Sequence, residues 1–105
     1  MSQSTVLPLP QQLGLRQVTD LQQVLLSALA EHGDVALSVP DDAETDLSFI
    51  QLLLSLRRHA DTHNKHITLA APAAGHFLAT LERSGILTDA ASQDLNFWLH
   101  RKEDA

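Results

Sequence analysis

The sequence predicts an α/β fold: a mainly parallel sheet of four to five strands with helices packed on it. Three observations carry this expectation. The apolar period switches repeatedly between about two and about 3.6 residues along the 105-residue chain. Prolines close the short β-rich runs, and Gly33 and Gly85 follow two of the three helix-like ones. Strands alternating with helices imply parallel pairing through right-handed crossovers.

The elements follow in order. Val6-Leu7-Pro8-Leu9-Pro10 is a short apolar run with two prolines, which suits an edge strand because proline cannot donate to a ladder. A turn over 11–14 precedes a second short strand near Leu15. Leu21, Val24, Leu25, Ala28 and Leu29 share one helical face, with Thr19 or Asp20 near the N-terminus and Gly33 at the C-terminal cap. Val35 to Val39 reads as a buried strand ended by Pro40, and Asp41 to Asp46 as a polar, acidic loop. A second helix runs from about Leu47 to His63, with Phe49, Leu52, Leu53, Leu56 and Ala60 inward. Ile67 to Ala70 is a strand closed by Pro72; a third helix covers about Ala73 to Ser84, and Gly85 caps it. The β-prone stretch Leu95 to His100 is expected as a last strand, with Phe97 and Trp98 on opposite faces.

Composition narrows the function. The chain is 44% hydrophobic and 19% charged, with 4% aromatics, so an aliphatic core is expected in one domain spanning 1–105, ordered over about 5–100. A chain of this length buries about 60–70% of its unfolded surface, enough for a core without metal or disulfide staples. A net charge of −6 opposes nucleic-acid binding and docking on anionic lipid. No apolar run reaches the roughly 20 residues of a membrane span, and the N-terminus lacks the pattern of a secretory signal, so a cytoplasmic protein is expected. The absence of Cys removes disulfides, zinc–thiolate sites and thiol catalysis.

Motifs for chemistry are few. His59 and His63 stand at i, i+4 with His66 close behind, but without a His-Glu-x-x-His pattern they read as a solvated helix end, so no metal site is expected. Asp41, Asp42, Glu44 and Asp46 lack the spacing and glycine of a calcium loop. There is neither a glycine-rich phosphate loop nor a Gly-x-Ser-x-Gly elbow. The expectation is a non-enzymatic protein with no cofactor.

Glu44-Thr45-Asp46-Leu47-Ser48-Phe49-Ile50-Gln51 opens the second helix after a strand. Asn64 to Pro72 and Leu81 to Leu87 follow at matching intervals. This order resembles the STAS domain, the module shared by sulphate transporters and anti-sigma factor antagonists, over about Val6 to Leu99. The phrase around Ser48 and the Phe97-Trp98-Leu99 tail look like small stand-alone STAS proteins associated with chemotaxis.

The resemblance implies a bacterial signalling adaptor of the anti-sigma factor antagonist type. Its partner would be a serine-kinase-like anti-sigma factor or a chemotaxis component. The competing implication is a soluble STAS subunit of a lipid-trafficking or sulphate-transport assembly that docks on an ABC ATPase. Asp46 matches the family's Asp before the helix, and Ser48 its phosphorylated Ser. Leu47 stands where many members have Ser or Thr, and Phe49 and Gln51 where glycines are common. Asp46, Leu47, Ser48, Phe49 and Gln51 form the expected partner surface, with Phe49 reshaping the contact. A phosphate on Ser48 would meet first-turn amides and the positive end of the helix dipole, and would add negative charge beside Glu44 and Asp46.

Overall fold

The computed structural model describes residues 5–88 and 92–100. Strands β1 (Thr5–Pro8), β3 (Asp34–Ser38) and β5 (His66–Leu69) form a parallel sheet in the order β1-β3-β5. A separate parallel pair joins β2 (Gln12–Leu13) to β4 (Glu44–Thr45). Helices α1 (Val18–His32), α2 (Leu47–Thr62), α3 (Gly75–Ser84) and α4 (Ser92–Leu99) complete the described chain. Among the described residues the strand pairs are all parallel, where a mainly parallel sheet was expected, but the strands divide between a three-stranded and a two-stranded sheet.

Alternation of side chains sets which sheet face is covered. Val35, Leu37, Ile67 and Leu69 point into the core, whereas Val6, His66 and Thr68 remain exposed. Helices α1 and α2 pack against each other over the covered face, through Leu21, Leu25 and Leu29 on one and Phe49, Leu52, Leu53, Leu56 and Ala60 on the other. One apolar cluster holds these residues together with Phe77, Leu81, Phe97 and Trp98. Among the described residues no helix is long and apolar enough to cross a membrane.

Four expectations are corrected. The stretch read as a turn at 11–14 contains β2, and Leu15 opens a 3-10 turn (Leu15–Gln17) instead of a strand. The acidic loop contains β4, with Ala43 and Thr45 buried. Helix α3 begins two residues later than predicted, at Gly75. That glycine has φ +57°, and a Cβ there would overlap the Asp41 carbonyl oxygen, so the close approach of the two loops requires glycine. Finally, the expected last strand is helix α4. A strand would turn Phe97 and Trp98 to opposite faces; on the helix both are buried, at 7% and 0% exposure. Their rings meet edge-on at 4.7 Å, and Trp98 meets Phe77 at 6.0 Å.

Candidate functional site

The start of α2 is built around one carboxylate. Asp46 has extended backbone (φ −141°) and its Oδ1 accepts the Ser48 amide at 2.9 Å and the Phe49 amide at 3.4 Å. This is an N-cap, formed because first-turn amides have no intrahelical acceptor. The second oxygen, Oδ2, accepts the Leu15 amide at 3.0 Å. Pairing of β2 with β4 (Gln12 opposite Glu44, Leu13 opposite Thr45) brings Leu15 there across 31 residues of sequence. Gly14 leaves room for the carboxylate: a Cβ on it would stand 3.1 Å from Asp46 Oδ2.

Helix α3 supports the same point from below. Thr45 is buried and donates its hydroxyl to Thr80 Oγ1 at 2.8 Å, and the Thr45 amide donates to His76 Nδ1 at 3.3 Å. Between these elements lies an open groove of about 600 Å³, walled by the 12–17 segment, by Glu44 to Asp46 and by His76. Arg16 brings a cation to it, opposite the acids Glu44 and Asp46.

Leu15 and Leu47 flank the Asp46 carboxylate, one through its amide and the other by chain adjacency, and they are 71% and 53% exposed. Two large apolar side chains held in water beside a groove mark a contact surface better than the polar residues around them. Ser48 is half-buried and Gln51 is exposed.

A comparison with known families agrees with this arrangement: the family model described as "Mlab, STAS domain" matches residues 1–89. This chain belongs to the STAS domain family. No curated protein and no solved structure matches it.

Within this STAS domain the expected surface is brought together in part. Asp46, Leu47, Ser48 and Gln51 lie on one exposed helix start. Phe49 does not join them. It is fully buried and packs edge-on against Phe77, ring centroids 5.5 Å apart. The helical stripe places it: position 49 shares its face with 52, 53, 56 and 60. Two of the first-turn amides are not free either, since Asp46 already holds those of Ser48 and Phe49. A phosphate on Ser48 would therefore meet the capping carboxylate on the amides it needs.

Leu15 is the residue that sequence reasoning missed. Its signal was an apolar side chain directly after Gly14, outside any amphipathic stripe. His59 and His63 stack at 4.2 Å, and the Nδ1 of His63 lies 2.9 Å from the His59 carbonyl. Among the described residues no group of three or more metal-ligating side chains occurs.

Proposed function

We propose that this STAS domain is a non-enzymatic signalling adaptor of the anti-sigma factor antagonist type, acting in the cytoplasm. It binds a partner protein through the start of α2 and the adjoining 14–17 turn. The observation that carries this reading is the exposed pair Leu15 and Leu47 around the Asp46 cap. Apolar anchors of this kind supply the buried centre of an interface, and the exposed acids Asp41, Asp42 and Glu44 supply a polar rim on the partner's approach.

Phosphorylation of Ser48 switches the contact. It adds roughly −1.5 to −2 charges next to Asp46. The phosphate repels the capping carboxylate and places a hydrated dianion beside Leu47, so a partner that buries Leu47 must desolvate it. The partner is a serine kinase of the anti-sigma type or a chemotaxis component.

Affinity capture with the wild-type chain and with Leu47→Glu and Leu15→Glu tests the surface. Recovery of a kinase or receptor-array protein by wild type alone supports the reading. Recovery of an ABC ATPase assigns the domain to a transport assembly instead. Equal recovery by all three chains removes the surface. Phosphate incorporation with the captured kinase, wild type against Ser48→Ala, tests the switch, and equal labelling sinks it.

A further inference from the structure

The edge of the main sheet formed by β5 carries a second docking opportunity, at the far end of α2. His66 donates its amide to the Gly33 carbonyl and Ala70 to that of Leu37, so residues 66, 68 and 70 face β3. Ile67 and Leu69 therefore point their backbone groups outward, away from the sheet. The Leu69 carbonyl lies 2.8 Å from His100 Nε2. The amides of Ile67 and Leu69 and the Ile67 carbonyl have no hydrogen-bond partner among the described residues.

These groups line a slot of about 510 Å³. Ala60 and Asp61 of α2 form one wall, and Asn96 and Phe97 of α4 with His100 just beyond it the other. A slot with two helical walls admits one extended chain but not the edge of another sheet. Buried or half-buried amides without partners are what such a chain pairs with. The opposite edge of the sheet is guarded: on β1 the outward positions are Val6 and Pro8, and proline has no amide to offer. Asp61 is exposed and forms no ion pair among the described residues, whereas Arg57 beside it is engaged by Asp94 at 2.9 Å. Among the described residues the unpaired formal charge in the slot is thus the Asp61 carboxylate.

We propose that the β5 edge accepts, by strand addition, a single extended segment of a partner protein, with an apolar side chain against Phe97 and a Lys or Arg against Asp61. The slot lies some 14 residues along α2 from Leu47, about 20 Å by helical rise, so it is separate from the surface at Ser48.

Amide exchange followed by NMR on the full chain tests the proposal. The probes are the capped hexapeptide Lys-Val-Thr-Val-Thr-Val and the same peptide N-methylated at alternate residues, which keeps the side chains and removes the pairing donors. In the free chain the Ile67 and Leu69 amides exchange at least tenfold faster than those of Thr68 and Ala70. The unmodified peptide slows both by tenfold or more and leaves Val6 unchanged; the methylated one does not. Asp61→Asn weakens peptide binding about two- to fivefold, the range of an exposed ion pair. Asn96→Trp fills the slot and abolishes the effect, while protected Thr68 and Ala70 amides show that the variant is folded. Equal exchange of all four amides in the free chain overturns the proposal. So does the absence of slowing at millimolar peptide, or equal slowing by the methylated form. Capture through Leu15 and Leu47 is independent of every one of these outcomes.

Discussion

A single carboxylate fastens two parts of this molecule. Asp46 caps α2 and also holds the Leu15 amide at 3.0 Å, so its removal orphans two donors, the Ser48 and Leu15 amides; the Phe49 amide keeps the Asp46 carbonyl at 3.1 Å. Loss of an N-cap costs about 1–2 kcal/mol, and loss of a further hydrogen bond about 1 kcal/mol. Asp46→Ala is expected to lower the thermal midpoint by roughly 10–20 °C in calorimetry. Asp46→Asn, which keeps one acceptor oxygen, falls between the two. A second contrast separates Phe49 from its neighbour Leu47. Phe49→Ala opens a cavity in the core and costs about 3–5 kcal/mol in urea unfolding. Leu47→Glu changes stability by no more than about 0.5 kcal/mol, because the side chain is half in water already. The cap at Asp46 was legible in the sequence, since an Asp before an apolar stripe has a local reason to be there. Its bond to Leu15 was not, because that contact depends on a strand pairing across 31 residues.

At the scale of the element, α2 was readable and α4 was not. Sixteen residues of α2 keep one continuous apolar face, so periodicity alone fixes both its type and its inward side. Helix α4 is eight residues ending in the β-prone run Phe97-Trp98-Leu99, too short for its period to decide. Tertiary contacts settle it: Trp98 closes against Phe77, the Trp98 carbonyl accepts the Ala73 amide at 2.8 Å, and Arg57 reaches over from α2. The Arg57 guanidinium lies 4.3 Å from the Phe97 ring centre and 2.9 Å from Asp94. Both contacts are partly exposed, so Arg57→Ala is expected to cost only about 1 kcal/mol. Chemical denaturation checks that value; a loss above about 3 kcal/mol would mean that the pair is far less screened than its exposure implies.

Across the whole molecule, the two sheets are tied by loops and side chains rather than by continuous pairing. Alternation of strands and helices announced parallel pairing correctly, and the crossovers through α1 and α2 were placed within a few residues, whereas the one expected through α3 leads to helix α4 instead of a strand. Sequence order carried no sign that β2 and β4 would leave the main sheet, since two-residue strands have no measurable period. Their position is held by the buried Thr45–Thr80 hydroxyl bond and by the contact of Gly75 with the Asp41 carbonyl. Gly75→Ala meets both a left-handed backbone, worth about 1–2 kcal/mol, and a steric overlap. It is expected to destabilise the domain by more than about 2 kcal/mol in thermal melts, where Gly→Ala at an ordinary helix position would stabilise.

Trp98 is the one tryptophan in the chain, and its indole nitrogen is buried with no hydrogen-bond partner among the described residues. The protein therefore carries its own optical reporter. An indole in a dry aromatic pocket emits in the blue and shows sharp near-ultraviolet dichroism, and both signals vanish when α4 leaves the core. The far-ultraviolet signal is dominated instead by α1 and α2, the two longest helices. If the emission and far-ultraviolet transitions coincide on heating, α4 is part of one cooperative unit. If the emission shifts red first, α4 comes away while the rest of the domain stands, and the edge of β5 is uncovered before the protein unfolds.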